Sequence, residues 1–568
     1  MKKSSGGVKL FSNPILQAVS HIKTLIETAI KQCGYDIETE IEVSEPKDKS
    51  HGDFSTNVAL KAAGLLKMNP RTVASAIVEH IDTSDSLVNK VEVAGPGFIN
   101  FYLSDSYFSG VVTSIISNGI DYGKSNIGEG KKVMVEFVSA NPTGPMHMGN
   151  ARGGVVGDTL ATILSWSGYD VSREFYVNDA GNQVDVLSRS LSVRYIQYFK
   201  GEDAAEFPED GYHGDDVRER AAECAKIYGD SLLSKPEDER RKILVEYTLK
   251  KNIEKMQKDL ENYRIKYDRW FFESELHKSG YVEDTVKMLS DAGYVYEQDG
   301  ALWFRTTQFG CEKDEVLKKS NGFYTYYAVD IAYHRNKFLE RHFDKVIDVF
   351  GADHHGHTLR FKAGVAALGL QPDCLQFVLI QLVRLMRGGE IVRMSKRTGK
   401  TISLADLLHE IPVDAARFFF DFKLSDSAMD FDLDLAVKQS SDNPVFYVQY
   451  AHARICSILK NLSAEGITPK NTDEVNLSRL TAPEERDLIR LLAVFPEEIR
   501  CAAENLEPTK MTRFAVEISS AFHKFYNACY VRCKDEELMY ARLSLCQAAR
   551  QVINNALRII NIEAPEKM

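Results

Sequence analysis

His147 and Asn150 are the first side chains of this sequence whose types and spacing could do chemistry. They follow the sequence SANPTGP, residues 139–145, in which two prolines and a glycine exclude helix and favour a compact turn. An apolar stripe that includes Val156 and Leu160 then predicts a helix beginning near His147. The free N–H groups and the dipole at a helix N-terminus favour anions, and both side chains can donate hydrogen bonds. The segment therefore predicts a phosphate-binding site.

The residues on either side of this turn predict the elements that hold it. Residues 133–138, VMVEFV, are largely apolar and rich in β-branched types, which is typical of a buried parallel strand. Gly149, Gly153 and Gly157 lie four residues apart on one helix face, and each costs about 1 kcal/mol of helix stability relative to alanine. We therefore expect a ligand or another backbone to approach that face closely. A crossover helix with an incidental histidine is the alternative, and the strand–turn–helix context argues against it.

A second group of charged residues lies in the sequence RMSKRTGK, residues 393–400. Its cations are Arg393, Lys396, Arg397 and Lys400. A single strand is predicted before it at Phe377–Arg387, and Ser403 is a predicted N-cap for the helix after it. A basic surface loop is one interpretation. Beside a phosphate site, mobile cations could instead stabilise the charge that builds as a phosphate group leaves.

Two further groups of residues suit recognition of a small polar ligand. GADHHGH, residues 351–357, follows a predicted strand at Val346–Phe350 and contains Asp353, His354, His355 and His357. These side chains could ligate a metal, but clustered histidines after a parallel strand can equally hold a nucleotide. We favour the nucleotide and predict no metal site. Tyr326 and Asp330 are four residues apart, so they share a face in a helix and in a strand, and Asn321-Gly322 before them is a hairpin signal.

Length and composition bound the class of protein. The chain has 568 residues, enough for about two to five domains. Its nine cysteines are scattered without a C-x-x-C pair, and it contains neither an apolar signal-peptide core nor a run long enough to span a bilayer. We therefore predict a reduced, cytoplasmic protein without a membrane partner. The net charge of −11 argues against a general nucleic-acid coat protein, yet a local basic patch could still bind RNA.

The two ends of the chain differ in predicted structure. Near the N-terminus we expect a separate α/β unit with a strand at Glu38–Val43, a helix across His51–Leu60 and two strands around the turn in Val91–Leu103. The caps available to that helix are Asp53, Ser55 and Thr56. Residues 217–263 are a charged amphipathic helical stretch, and after about Asp414 the strand signals disappear, which predicts a helical bundle.

Within that bundle, Tyr447, Tyr450 and Arg454 recur at helical spacing. Aromatic and arginine side chains on one face can stack the bases of a single-stranded loop. A packed core would use the same pattern, and the spacing alone does not separate the two interpretations.

Several of these segments resemble one family in the family's own order. NPTGPMHMGNARGGVVGD resembles the HIGH-motif segment of class I aminoacyl-tRNA synthetases, specifically of arginyl-tRNA synthetases. YVNDAGNQ, YDRWFFESEL and the Tyr-x-x-x-Asp of Tyr326 and Asp330 are also similar to that family, and RMSKRTGK resembles its KMSKS loop. NPVFYVQYAHARI and the terminal LRIINIEAPEKM resemble its anticodon-binding domain. The resemblance covers essentially the whole chain.

The resemblance implies a fold and a division into domains. The expected fold is α/β, with a Rossmann-like parallel-sheet catalytic domain at residues 123–435 that carries a helical insertion at about 190–300. Residues 1–122 would form an accessory α/β domain that contacts the tRNA elbow, and residues 436–568 a helical anticodon-binding domain.

The implied activity is that of an arginine–tRNA ligase, which activates L-arginine with ATP and transfers it to the terminal ribose of tRNA(Arg). The implied ligands are ATP as a substrate with Mg²⁺, L-arginine and tRNA(Arg). No tightly bound cofactor and no DNA or membrane partner is expected. The expected oligomeric state is a monomer. The family generally needs tRNA for the first step, which we extend to this chain as a hypothesis. Two rivals are a nucleotidyltransferase that works without RNA and an inactive RNA-binding relative, and a carboxylate pocket could also serve lysine.

The resemblance also implies roles for individual residues. Catalytic roles fall to His147, Gly149, Asn150, Arg393 and Lys396. ATP contacts fall to Pro142, Gly144, His147, Gly149, Asn150, Met394, Ser395 and Lys396. Arginine contacts fall to Glu136, Ser139, Asn141, Tyr326, Asp330 and His354, with Asp353 as an alternative to His354. tRNA contacts fall to Tyr447, Tyr450 and Arg454. The motifs depart from the family pattern at Asn150, which replaces a histidine, and at Arg393, which replaces a lysine.

Overall fold

The structure is a computed structural model that describes residues 13–84, 87–392 and 402–568, apart from the side chains of Lys49, His354 and His355. The described residues form two compact units. The first unit contains the residues up to Asn126 together with Ser440–Asn505 and Lys510–Met568, and the second contains Ile127–Gln439 and Leu506–Thr509.

The N-terminal part of the first unit is a small antiparallel sheet with four helices. Its elements are α1 (Pro14–Gln32), β1 (Phe54–Thr56), α2 (Val58–Leu66), α3 (Pro70–Glu79), β2 (Val88–Ala94), β3 (Phe98–Leu103) and α4 (Asp105–Asn118). The strand order is β1-β3-β2. Helix α1 buries one face through Ala18, Ile22 and Ile26, which recur every four residues. The predicted pair of strands around the Gly-Pro-Gly turn is confirmed as β2 and β3.

Two predictions for this region were wrong. Residues 38–43 form no strand, and only Ser44 beyond them bridges to β1. The helix expected from His51 begins at Val58 instead. The reason is a long-range contact, because the Asp53 N–H donates to the carbonyl of Phe101 on β3 at 2.8 Å. The carboxylate of Asp53 also accepts the N–H of a β3 residue, so it binds a strand rather than capping a helix.

The second unit is built around a five-stranded parallel sheet in the order β11-β10-β4-β5-β6. Its elements are β4 (Lys132–Glu136), α5 (Met148–Trp166), β5 (Asp170–Val177), α6 (Asn182–Lys200), α7 (Asp215–Tyr228), α8 (Glu237–Asn262), β6 (Arg269–Phe272), α9 (Glu273–Lys278), α10 (Tyr281–Asp291), β7 (Val295–Gln298), β8 (Ala301–Phe304), β9 (Glu315–Lys318), α11 (Tyr326–Arg335), β10 (Lys345–Gly351), α12 (Thr358–Ala367), β11 (Leu375–Ile380), β12 (Val383–Arg387), β13 (Glu390–Val392), α13 (Leu404–Glu410), α14 (Val413–Phe422), β14 (Met429–Asp432) and α15 (Leu433–Val437).

The strand order creates a switch point beside β4. After β4 the chain adds β5 and β6 on one side, and it later returns to add β10 and β11 on the other side. At such a point the connections leave the sheet in opposite directions and open a crevice at the carboxyl ends of the strands. The turn that carries His147 follows β4, so the sheet places this turn at the crevice.

Three further predictions for this unit were wrong in detail. The single strand expected at Phe377–Arg387 is two strands, because the chain leaves the main sheet after Ile380 and β12 pairs with β13 and β14 instead. Strand β14 also lies beyond Asp414, where only helix was expected. The turn at Asn321-Gly322 closes one isolated bridge rather than a hairpin, and α11 begins directly after it.

The C-terminal part of the first unit is helical, as predicted. Its long helices are α16 (Pro444–Ala464), α17 (Pro483–Asn505), α18 (Thr509–Ala528) and α19 (Glu536–Ile559). They pack against the end of the N-terminal part, where the buried Tyr122 phenol donates to the carbonyl of Leu492 at 3.0 Å. The Asn555 amide donates to the carbonyl oxygens of Gly119 and Tyr122, both at 3.0 Å. In the described part of the chain, every helix is too short or too polar to cross a membrane.

Candidate active site

A cavity of about 1450 Å³ opens at the carboxyl end of the parallel sheet, at the switch point. Four segments form most of its wall: the turn after β4, the start of α5, one face of α11 and the segment after β10. The cavity is therefore built from elements that are far apart in sequence and that the sheet topology brings together.

The turn after β4 has a strained backbone that hydrogen bonds hold in place. Val138 and Ser139 have φ angles of 69° and 39°. These positive values are unfavourable for residues other than glycine, and especially for β-branched residues. The Ser139 hydroxyl donates to Glu136 Oε1 at 2.9 Å and accepts the Tyr176 N–H at 3.1 Å. These contacts fix both the turn and the Glu136 side chain at the cavity wall.

The glycines of α5 serve different purposes. A Cβ atom on Gly157 would lie 2.3 Å from Phe137 Cγ, so the predicted close approach is found there, although a side chain makes it rather than a backbone or a ligand. At Gly153 the nearest atom would be 3.9 Å away, on Ile380, and this residue faces the cavity. Gly149 also lines the cavity, where a Cβ would lie 3.1 Å from the His147 ring.

His147 and Asn150 cap α5 in a way that leaves hydrogen-bond donors available on both side chains. His147 Nδ1 accepts the Gly149 N–H at 3.2 Å, and the His147 backbone N–H donates to Asn150 Oδ1 at 3.0 Å. Desolvation lowers the pKa of His147, so at pH 7 the ring is neutral with its proton on Nε2. The Nε2–H of His147 and the amide N–H groups of Asn150 can therefore bind an anion at this helix N-terminus.

The described residues on either side of the segment that contains the cations line the same cavity. Arg393, Met394, Ser395 and Lys396 lie outside the described residues. The last residue described before the loop is Val392 and the first after it is Ile402, and both line the cavity. Ser403 caps α13, as predicted, and pairs with His147 in an isolated bridge. Val392 and Ile402 therefore lie at the same cavity wall as the helix N-terminus.

Tyr326 and Asp330 lie one turn apart on α11 and both line the cavity. Burial and the carboxylates of Glu273 and Glu136 raise the pKa of Asp330 to about 8. Among the described residues, nothing donates a hydrogen bond to the Asp330 carboxyl group or forms an ion pair with it. A cationic ligand would supply the missing charge. The Tyr326 hydroxyl lies next to Gly181, in the sequence NDAGN.

Glu136 is in place at the wall, but its carboxylate already has a cation. Lys337 Nζ donates to Glu136 Oε2 at 2.6 Å and to Asp348 Oδ1 at 3.0 Å. No predicted role involved Lys337 or Asp348, because a lysine in a helical segment and an aspartate in a strand carry no signal of their own in the sequence. Asn141 lines the cavity as well, whereas the His354 side chain lies outside the description.

Two other contacts position the cavity wall and were also missed. The buried Arg152 guanidinium on α5 donates to the carbonyl oxygens of Gln381, Ser427 and Leu424, at 3.0, 2.9 and 2.7 Å. It therefore joins the crossing from β11 to β12 to the segment between α14 and β14. Asn252 on α8 donates to the carbonyl of Pro142 at 2.9 Å. The inserted helices therefore contact the turn that holds Pro142 and Gly144.

A smaller cavity of about 400 Å³ lies in the helical part of the first unit. Tyr447, Tyr450 and Arg454 of α16 line it together with His523 of α18. The rings of Tyr447 and His523 are 5.1 Å apart, and the Arg454 guanidinium lies 5.9 Å from the Tyr450 ring. The three predicted residues thus form one partly open aromatic and basic surface. Among the described residues, no cluster of three or more His, Cys, Asp or Glu side chains could hold a metal ion.

Comparison with known proteins identifies the family. Models of three families match consecutive parts of the chain: "Arginyl tRNA synthetase N terminal domain" at residues 20–103, "tRNA synthetases class I (R), catalytic domain" at 111–435 and "DALR anticodon binding domain" at 448–568. The chain belongs to the arginyl-tRNA synthetase family of class I. The predicted family and fold class are confirmed.

Individual arginyl-tRNA synthetases match along nearly their full length. The arginine–tRNA ligase of Acetivibrio thermocellus is 54% identical over 93% of this chain and 94% of its own. That of Caldanaerobacter subterraneus is 52% identical over 98% of this chain and 100% of its own. The solved structure of Thermus thermophilus arginyl-tRNA synthetase has a TM-score of 0.74 with 21% identity, covers 96% of this chain and 99% of its own, and supports the fold.

Proposed function

We propose that this protein is an arginine–tRNA ligase. It joins L-arginine to ATP, giving arginyl-adenylate and pyrophosphate, and then transfers the arginyl group to the terminal ribose of tRNA(Arg), releasing AMP. The observation that carries this proposal is that one cavity holds both an unpaired acid, Asp330, and the anion-binding donors of His147 and Asn150. A cationic amino acid and a phosphate chain bound at these two places share a single reaction chamber.

The phosphate end works by positioning and electrostatics. The donors of His147 and Asn150 hold the ATP phosphates, and Gly149 leaves room for the nucleotide beside the turn of Pro142 and Gly144. The loop with Arg393, Met394, Ser395 and Lys396 supplies cations as pyrophosphate leaves. The arginine carboxylate is itself the nucleophile, so this step needs no general base. Mg²⁺ accompanies ATP and balances its charge.

The amino-acid end selects for a guanidinium. Asp330 provides the counter-ion, Glu136 a fixed acceptor and Tyr326 a hydroxyl and an aromatic ring, and planar bidentate contacts favour arginine over lysine. Ser139 acts through its hydrogen bond to Glu136, and Asn141 lines the entrance. His354 or Asp353 contacts the α-amino group or the ribose.

The remaining parts of the chain bind tRNA. We assign residues 1–122 to the elbow and residues 436–568 to the anticodon, where Tyr447, Tyr450 and Arg454 offer a stacking surface. Residues 123–435 catalyse the reaction, with the insertion at about 190–300. The enzyme acts in the cytoplasm as a monomer, and tRNA is required for the first step.

The experiment that tests this function is ATP–pyrophosphate exchange with each amino acid, with and without total tRNA. Exchange with arginine alone, and only when tRNA is present, is the expected result. Exchange with arginine in the absence of tRNA would keep the assignment to this enzyme class and refute the requirement for tRNA. Exchange with lysine would overturn the assignment of the pocket. Without exchange for any amino acid, the protein would be an RNA-binding relative or a nucleotidyltransferase for another small molecule.

A further inference from the structure

The geometry around Glu136 points to a positioning residue behind the amino-acid site. We propose that Lys337 fixes the Glu136 carboxylate as a charged hydrogen-bond acceptor, so that Asp330 is left to take the positive charge of arginine. This inference rests on the proposed function, because it assumes that arginine binds between these two acids.

Lys337 is held rigidly and completely away from solvent. It lies in a π-helical turn, Asn336–Glu340, that continues α11 directly. Its side chain is 0% exposed, and its ammonium group lies 4.1 Å from the centre of the Tyr333 ring. A π-helical turn shifts the side chains that follow it relative to a regular helix. Asp330 lines the cavity, whereas Lys337, seven residues later on the same continuous helical segment, is fully buried.

The carboxylates on either side of Lys337 need a shared cation. Glu136 on β4 and Asp348 on β10 occupy the same register position on neighbouring parallel strands, and both are buried. Lys337 bridges them at 2.6 and 3.0 Å. Two buried carboxylates this close cannot both stay ionised without a counter-charge. Lys337 supplies that charge and, through its hydrogen bond, fixes the orientation of the Glu136 carboxylate.

Asp330 differs from Glu136 in having no such partner among the described residues. Burial, Glu273 and Glu136 oppose its charge, whereas the positive charges of Arg360 and Lys337 favour it without forming an ion pair with it in the described chain. The substrate cation therefore supplies the charged partner that Asp330 lacks, whereas Glu136 already has Lys337 as its partner before the substrate binds. Several groups bear on the charge of Glu136: Glu174 and Tyr176 of β5, Asp348 of β10, Asp330 and Tyr333 of α11, Lys337 of the π-helical turn, and Tyr267.

A defined change follows from removing Lys337. Burial raises the pKa of Glu136 and Lys337 opposes that rise, so in Lys337→Met the pKa of Glu136 rises further and its protonated form is favoured. The arginine KM should then rise by about tenfold or more at pH 7, since an acceptor for a cation is lost. The ATP KM should stay within about twofold. The ratio of the arginine KM of the variant to that of the wild type, measured at the same pH, should fall as the pH is raised.

The decisive experiment is a double-mutant cycle between Lys337→Met and Glu136→Gln, measured by arginine-dependent pyrophosphate exchange with tRNA present. If Lys337 acts through Glu136, Lys337→Met should raise the arginine KM little further in a protein that already carries Glu136→Gln. Lys345→Met is the matched control, because Lys345 is a half-buried lysine at the start of β10 and outside the cavity wall. It should leave the arginine KM unchanged.

Each outcome decides a different point. Additive effects in the cycle, or equal rises in the arginine and ATP KM values, would overturn the positioning role. Wild-type protein without arginine-dependent exchange would instead reject the proposed function. If Lys337→Met does not fold, Lys337→Gln keeps a hydrogen-bond donor without the charge and enters the same cycle, where the same non-additivity and the same pH-dependent recovery are expected.

Discussion

At the scale of single residues, the site separates groups that are satisfied in the protein from groups that await a ligand. Glu136, Asp348 and Lys337 satisfy one another, and Arg341 pairs with Glu174 close by. Asp330 and the donors of His147 and Asn150 face the cavity instead. The paired groups hold the cavity wall in place, and the groups that face the cavity are the ones that bind the substrates.

The first prediction concerns affinity at Asp330. Asp330→Ala should raise the arginine KM by about 10- to 100-fold, because a cation loses its charged partner. The ATP KM should barely change, since the phosphate donors lie at another part of the cavity. Steady-state exchange kinetics with both substrates varied measure this directly. An unchanged arginine KM would remove Asp330 from the pocket.

The second prediction concerns pH. The pKa of Asp330 is raised to about 8 in the ligand-free protein, so below that pH the carboxyl group is largely neutral and must lose a proton to bind arginine. The arginine KM should therefore fall as the pH rises from 6 to 8, by at most about tenfold per pH unit, and then level off. In Asp330→Ala this dependence should disappear. A flat wild-type profile over that range would mean that Asp330 is ionised before arginine binds.

The third prediction concerns the loop cation Lys396. Lys396→Ala should slow adenylate formation by about a hundredfold or more while arginine binding stays nearly intact, because its charge matters as pyrophosphate leaves. Single-turnover adenylate formation and equilibrium binding of arginine separate the two effects. Equal losses in both would assign this lysine to substrate binding rather than to the transition state.

At the scale of elements, α5 fits its surroundings only because of its small residues. Gly157→Ala would place a Cβ atom 2.3 Å from Phe137 Cγ, so β4 or α5 must shift, at a cost of about 1–3 kcal/mol in the free energy of unfolding. Thermal denaturation should show a lower Tm, accompanied by weaker catalysis because the turn after β4 moves.

Gly110→Ala is the control for this substitution. Gly110 also lies inside a helix, α4, but nothing lies within 4 Å of its Cβ position. Alanine there should leave the protein unchanged or stabilise it by about 0.5–1 kcal/mol, since a helical glycine is replaced without a clash. A similar loss of stability in both variants would show that the contact with Phe137 does not cause the effect of Gly157→Ala.

Local sequence could predict some of these elements and not others. The strand, turn and helix around His147 were predictable because each depends on neighbouring residues, and Ser403 was recognisable as a cap. Phe377–Arg387 looks like one strand because its pattern is continuous, and only pairing with the distant β14 divides it. Lys337 could not be recognised, since its role depends on a π-helical turn and on two strands that are far away in sequence.

At the scale of the whole molecule, the beginning and the end of the chain form one compact unit. Tyr122 stacks on Phe495 with the ring centres 6.2 Å apart, and Arg490 forms an ion pair with Asp53 at 2.6 Å. Asn555 satisfies two carbonyl groups at the end of the N-terminal part. The helical part therefore relies on partners that lie more than 350 residues earlier in the sequence.

The fifth prediction follows from this arrangement. A chain lacking residues 1–126 should lose the cooperative unfolding of its C-terminal helices, because the apolar surface around Phe495 would be exposed to water. Circular dichroism and calorimetry report that loss, and co-expression of residues 1–126 as a separate piece should restore it. A truncated chain with an unchanged C-terminal transition would show that the two parts fold independently.

The same arrangement has a consequence for synthesis on the ribosome. Folding of nascent chains generally proceeds from the N-terminus as each domain emerges, at about 5–20 residues per second. Here the first segment leaves the ribosome without the helices that cover Tyr122 and Asp53, and it must wait until residues 440–568 have been made. The catalytic unit can fold during that delay. The surface of the N-terminal segment that packs on these helices therefore stays exposed to water until the end of translation.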